Sequence, residues 1–212
     1  MSLQIFYICT GAWKENAYII IKNKESILID PGDNFSELDT YFKTFNTNYK
    51  AIINTHGHFD HVGAVEEFRR KYSIPFYIHS KDKRLVHQAN LFRKLTGVSG
   101  TNPTPTIDFF LDNLISIELS DTNIKIHHVP GHSEGSVVFE VENNLIIGDL
   151  FFNDSIGRND LPGGNLKKLM ESISYVLDNF KNFMIYPGHG TPFLLNEAKI
   201  DRLKNICNEY NN

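Results

Sequence analysis

The sequence predicts an α/β fold made of two similar halves, and three features carry that reading. Short β-rich runs alternate with helical stretches along the chain, the pattern of sheets covered by helices. Each half offers one strand that ends in Asp and a later strand that runs into His. These are Ile27-Leu28-Ile29-Asp30 and Ile52-Ile53-Asn54-Thr55-His56 in the first half, and Ile146-Ile147-Gly148-Asp149 and Ile185-Tyr186-Pro187-Gly188-His189 in the second. Five of the nine histidines fall in tight loops beside Gly, Asp or Pro. A duplicated architecture would bring the strand tips of both halves to one edge, where α/β proteins commonly place ligands.

Residues 1–8 read as a first strand. Residues 17–21 and 26–29 are β-rich runs separated by the polar turn 22–25. The second run stops at the breaker Asp30-Pro31-Gly32-Asp33. A helix over 35–45 follows, then a buried-type strand at 51–53, the histidine-rich loop, a helix over 62–72 and a strand at 74–78. Gly97, Gly100, Pro103 and Pro105 make 91–106 a candidate flexible loop or lid over a site. The second half continues with strands at 116–119, 124–129, 137–141 and 145–147, then a loop over 148–164. A helix over 165–179, a strand at 183–186 and a terminal helix over 196–210 complete a single domain spanning residues 1–212.

Composition narrows the function classes. Apolar residues make up 41% of the chain and aromatics 12%, enough for a large core. The net charge is -4, with no basic stripe of the kind that binds nucleic acid. No window approaches the ~18 apolar residues of a spanning helix, and the N-terminus lacks a cationic start and a small-residue cleavage site. The expectation is a soluble, cytoplasmic enzyme with a small-molecule substrate, no membrane partner, and an oligomeric state the sequence does not give. The two cysteines, Cys9 and Cys207, sit in no metal-type or redox-type pair and read as ordinary thiols.

The strongest chemical signal is Thr55-His56-Gly57-His58-Phe59-Asp60-His61, with four potential ligands within six residues. In an extended segment residues two apart face the same side, so His56 and His58 can hold one metal together. Asp60 and His61 stand at the turn into a helix and can point at a second position. Imidazole and carboxylate are the usual zinc ligands, and a catalytic zinc keeps a position open for water. Gly57 is expected to let the backbone turn sharply between two ligands. The alternative, a solvated polar loop with Asp60 as a helix cap, does not explain three further candidates in braced loops downstream. These are His132 in Pro130-Gly131-His132, Asp149 in Gly148-Asp149, and His189 in Pro187-Gly188-His189-Gly190.

With these motifs in order, and with Asn16-Ala17-Tyr18 and Asp30-Pro31-Gly32 before them, the chain resembles the metallo-β-lactamase superfamily. Within it, Ser155-Ile156-Gly157-Arg158-Asn159-Asp160-Leu161-Pro162-Gly163-Gly164 looks like the short, single-domain glyoxalase II-like branch. The resemblance implies an αββα sandwich with the site at the shared edge of two sheets. It implies that His56, His58 and His132 hold one metal, that Asp60, His61 and His189 hold the other, and that Asp149 bridges both. Two divalent ions are expected, zinc foremost, with iron or manganese as alternatives. The implied activity is hydrolysis of a thioester such as S-lactoylglutathione by a water between the metals, ionised to hydroxide, with Asp60 and Asp149 as the catalytic carboxylates. This sequence lacks the extra helical segment that supplies much of the glutathione contact in full-length glyoxalase II. The resemblance therefore carries the reaction class further than the identity of the thioester.

Asp30 is expected to orient ligands through hydrogen bonds, or else to sit in a capped turn. Arg158 is a candidate for the substrate's carboxylate, or simply a partner of Asp160. His79 and His87 read as structural or exposed, and His127 and His128 as packing residues on the strand before His132. No Gly-x-Ser-x-Gly elbow suggests a serine nucleophile. The rival readings are a persulfide dioxygenase, which uses one iron on the same fold, and a lactonase-type hydrolase.

Overall fold

Alternation along the strands decides which layer each residue serves. The computed structural model describes residues 2–210. In β2 (Glu15–Lys22), Ala17, Ile19 and Ile21 face one side and Tyr18 and Ile20 the other, and every one of them is buried. A strand apolar on both faces needs a cover on each side. β1 (Gln4–Thr10) and β3 (Glu25–Ile29) flank it as antiparallel partners. β4 (Asn48–Ile53), β5 (Phe76–Ile78) and β6 (Phe109–Phe110) extend the sheet in parallel from β3. Parallel neighbours need long crossovers. These are supplied by α1 (Phe35–Lys43), α2 (Phe59–Val62), α3 (Val65–Tyr72) and α4 (Lys83–Leu95).

The second half repeats the scheme. β7 (Ser116–Leu119), β8 (Thr122–His128), β9 (Val137–Val141) and β10 (Asn144–Gly148) form an antiparallel meander. After α5 (Leu166–Asn179), β11 (Met184–Pro187) returns parallel to β10, and β12 (Phe193–Leu194) pairs with β11 before α6 (Glu197–Tyr210). The Asn165 side chain accepts the Lys168 N–H at 3.0 Å and so starts α5. Its buried Leu169, Ile173, Val176 and Leu177 make one apolar stripe.

Among the described residues two six-stranded sheets form, and three buried clusters separate four layers. One cluster lies between α1, α3, α4 and the first sheet, one between the sheets, and one between the second sheet and α5 with α6. This is the αββα sandwich expected from the sequence.

The departures are local. The single helix expected over 62–72 is two helices, broken at Gly63-Ala64. Gly63 packs so tightly that a Cβ would stand 2.5 Å from Asp33 Oδ1, and the Ala64 N–H donates to Pro31 O rather than to a helical carbonyl. The first five residues of the expected loop 91–106 are the end of α4. The remainder is tied down: Asn102 exchanges hydrogen bonds with Asn90 and donates to Asp33 Oδ1, and the Thr106 N–H donates to Glu66. No helix of the described residues is long and apolar enough to cross a membrane.

Candidate metal centre

β3 and β4 are parallel neighbours in one sheet, and β10 and β11 in the other, so the Asp and His that follow them emerge at the same ends. The two sheets are joined there. The Asn16 N–H donates to Gly188 O and the Val137 N–H to Thr55 O, each at 2.8 Å. Asp30, His56, Asp149 and His189 thereby meet at one edge, with His58, Asp60 and His61 supplied by the loop after β4 and His132 by the loop after β8. Gly188 is required at this seam, since a Cβ on it would stand 2.1 Å from Asp149 Oδ1. Gly57 has a different role from the one expected. Its φ is not left-handed; what it provides is space, because a Cβ would lie 2.9 Å from Asp82 O.

Seven side chains form two sets. His132 Nε2 lies 2.8 Å from His58 Nδ1 and 3.2 Å from His56 Nε2. His189 Nε2 lies 3.4 Å from Asp60 Oδ2, which is 3.9 Å from His61 Nε2. Asp149 stands between the sets: Oδ1 is 3.5 Å from His61 Nε2, while Oδ2 is 3.5 Å from His189 Nε2 and 3.6 Å from His132 Nε2.

The tautomers follow from what holds the far side of each ring. His61 Nδ1 donates to Asp30 Oδ2 at 3.1 Å, and His132 Nδ1 to Arg158 O at 2.7 Å. His189 Nδ1 donates to Lys14 O, and His56 Nδ1 to Thr55 Oγ1, whose own proton goes to Asp30 Oδ2. Each of these four rings therefore turns Nε2 into the centre. The 3.2 Å approach of His132 Nε2 to His56 Nε2 is then lone pair against lone pair, which a cation relieves. Nitrogens around a tetrahedral zinc at ~2.0–2.1 Å stand about 3.3 Å apart. His61 Nε2 and Asp149 Oδ1 are buried with no hydrogen-bond partner at all. The residues present thus fit two divalent cations.

Electrostatics agree. Burial, reinforced by neighbouring imidazoles, pushes His56 down and His58 to about 3, so this set presents neutral rings. Around the other set, burial works against charge on His61 and His189, but Asp149 and Asp60 outweigh it. His61 is raised well above its ordinary value and His189 to about 10. Asp60 and Asp149 are held below the usual carboxylate range, because His61 and His189 outweigh the effect of burial. The second set therefore draws positive charge into a buried place.

The remaining expectations fall out plainly. Asp30 accepts from Thr55 N, Thr55 Oγ1 and His61 Nδ1, so it orients the centre rather than capping a turn. Arg158 lines the cavity above the centre, with its guanidinium held by Asp160 through two 2.9 Å hydrogen bonds. His79 stacks on His128, His127 sits between Glu140 and Tyr175, and His87 is exposed; none joins either set.

Three residues escaped the reading of the sequence. Buried Asp82 accepts from Gly57 N, Gly135 N and Ser133 Oγ, pinning the His56–His58 loop to the His132 loop. Buried Glu15 lies 3.9 Å from His61 Nδ1 with neither oxygen hydrogen-bonded, and burial pushes its carboxyl well up. Trp13 stands at the cavity rim, edge-on to Phe59. Lone acids and a lone tryptophan carry no spacing signal, so nothing local in the sequence marked them.

The metallo-beta-lactamase superfamily model matches residues 10–189. Probable metallo-hydrolase YqgX of Bacillus subtilis (strain 168) is 34% identical over 185 residues, covering 85% of this chain and 87% of that protein. Hydroxyacylglutathione hydrolase GloC of Haemophilus influenzae (strain ATCC 51907 / DSM 11121 / KW20 / Rd) is 30% identical over 208 residues, covering 93% of this chain and 95% of that protein. The crystal structure of TTHA1623 in a di-iron-bound form superposes with a TM-score of 0.81 at 34% identity, covering 90% and 94% of the two chains. The matched region runs from the end of β1 to His189, the last residue of the two donor sets, and on that extent the chain belongs to the metallo-beta-lactamase superfamily.

Proposed function

We propose that this chain is a hydrolase that holds two divalent cations and cleaves a small acyl thioester, S-lactoylglutathione or a relative of it. The observation that carries this reading is the pair of converging donor sets with Asp149 between them, at the floor of a cavity. The likeness to GloC, named a hydroxyacylglutathione hydrolase, supports the choice of thioester. His56, His58 and His132 would hold one cation, and Asp60, His61 and His189 the other, with Asp149 reaching both. Bound there, the cations would supply Lewis acidity and bring the pKa of water from about 15.7 towards about 7.

The chain's own groups orient the reaction. Asp60 and Asp149 accept the O–H groups of the attacking water and set its oxygen towards the acyl carbon. The new carbon–oxygen bond forms, the carbon–sulfur bond breaks, and its electron pair leaves on sulfur. One proton of the water ends on the thiol. The other reaches solvent past His189, whose side chain is 25% exposed while those of His56 and His61 are sealed in. A thiolate needs no acid to leave.

The test is metal content of protein purified without chelator or added metal, alongside S-lactoylglutathione hydrolysis. About two divalent ions per chain with clear turnover is the expected result. Zinc is the expected pair, and iron its competitor, as in the di-iron-bound TTHA1623. A single iron per chain with oxygen uptake on glutathione persulfide, and no thioester cleavage, would overturn the reading in favour of a dioxygenase.

A further inference from the structure

The walls of the cavity differ sharply from its floor. Above His58, His132 and Asp149 the lining is mostly apolar, from Trp13, Phe59, Phe92, Phe152, Leu161 and Pro162, with the hydroxyl-bearing Thr96 among them. These come from the β1–β2 turn, α2, α4 and the long loop after β10, four separate pieces of chain that converge on one apolar sleeve. Trp13 and Phe59 meet edge to face at 5.5 Å, and Phe152 lies against His189 at 5.9 Å, so aromatic surface begins at the centre itself. Trp13 is 38% exposed, and large aromatic surface left open around a site marks where a ligand lies.

Charge is lacking in this wall. Apart from the residues of the donor sets, Arg158 is the one charged side chain that lines the cavity, and Asp160 occupies its guanidinium bidentately. A carboxylate at the far end of a substrate would meet aromatic rings and an arginine already engaged by Asp160, with little to offset its desolvation. Size is limited as well. The cavity holds about 220 Å³, below the ~300–1,000 Å³ usual for drug-sized ligands.

We propose that this sleeve selects an uncharged hydrocarbon acyl group, with Trp13, Phe92 and Leu161 as specificity-determining residues. The proposal rests on the hydrolase reading only for the bond that is cut. Its substrates are short-chain acyl thioesters or esters; the lactoyl group of S-lactoylglutathione is itself a short uncharged acyl group, and the two carboxylates of that compound lie on its leaving group.

The test uses binding, so that it stands apart from turnover. Trp13 is the one tryptophan of the chain and lines the sleeve, so its fluorescence reports occupancy directly. The metal-loaded full chain is titrated with acetate, butanoate, hexanoate, octanoate and hexanedioate, the acids that hydrolysis of such substrates releases and one doubly charged control. Affinity should rise about fourfold per added methylene along this series. Hexanedioate should bind at least tenfold more weakly than hexanoate. Leu161→Lys, on a partly exposed loop, should reverse that order and favour hexanedioate, a gain that misfolding cannot imitate. Hydrolysis of acetyl, hexanoyl and S-lactoylglutathione thioesters is followed in parallel. If affinity climbs with chain length and no thioester is cleaved, the sleeve is upheld and the hydrolase reading falls. If thioesters are cleaved while the acids bind without regard to length or to the second charge, or fail to bind, the sleeve is overturned.

Discussion

Asp149 is the residue on which both donor sets depend, since its two oxygens face different imidazoles across the seam between the sheets. Asp149→Ala should remove measurable turnover and lower the metal content below two per chain; near-parental activity would sink the bridging role. Asp82 acts one step further back. Its Oδ2 accepts from Gly57 N at 2.9 Å and Ser133 Oγ at 2.7 Å, and its Oδ1 from Gly135 N at 2.7 Å. Asp82→Asn keeps the shape but turns an NH₂ towards one of these donors, unpinning the loops that carry His56, His58 and His132. Metal affinity of that set should fall about 10–100-fold, read by competition with a chelator, and unchanged affinity would exclude a positioning role. The two donor sets were legible because three histidines and an aspartate fall within six residues, a spacing that suits metal ligands. Asp82 and Glu15 were not, because an isolated acid gains its meaning only from the backbone N–H groups or the imidazole that the fold brings to it.

Helices and strands were read well wherever one face is apolar at a regular period, as in α5, or the run is apolar on both faces, as in β9, and poorly where packing overrides local preference. Residues 62–72 have an unbroken helical pattern, yet the Ala64 N–H is taken by Pro31 O and the stretch divides into α2 and α3. The end of α4 carries Gly and Pro just beyond it, which made its last turn look like a loop. One link between elements has a measurable signature. Asp39 on α1 reaches Lys71 on α3 at 2.7 Å, and also Tyr72 and Lys43. Burial alone would raise its carboxyl, but Lys71, Tyr72 and Lys43 outweigh it and hold the group below its ordinary value. A depressed carboxylate stabilises the fold above its unfolded pKa of about 3.9, and loses that contribution as pH falls through the folded value. Asp39→Asn should therefore cost about 1–2 kcal/mol at pH 7, measured by urea denaturation, and the gap should narrow below about pH 4. A gap that is absent at pH 7, or undiminished in acid, would contradict this account.

At the scale of the molecule, the two halves expected from the sequence are two sheets with the same parallel pair at the edge of the site, β3–β4 in one and β10–β11 in the other. The repeated Asp-then-His pattern was legible because strand ends fix where those residues emerge. Their division of labour was not, since Asp30 turns back to hold Thr55 and His61 while Asp149 faces the centre. Each donor set takes residues from both sheets: His132 joins His56 and His58, and His189 joins Asp60 and His61. Cations bound there would clamp the sandwich across its open edge, where few backbone hydrogen bonds cross between the sheets. Binding to the folded chain alone stabilises it by about 2.7 kcal/mol per site at a hundred times the dissociation constant. For a chain of this length each kcal/mol moves the melting temperature by about 2–4 °C, so stripping one site should lower it by about 5–10 °C. His189→Ala, which removes the second sheet's only imidazole from its set, should leave a melting temperature between those of the loaded and the stripped protein. If chelation shifted the melting temperature by less than about 1 °C, or if His189→Ala melted like the loaded parent, the cations would not be holding the two halves together. The shared edge would then owe its closure to the hydrogen bonds of Asn16, Tyr18, Asp82 and Val137 across the seam and to the apolar cluster between the sheets.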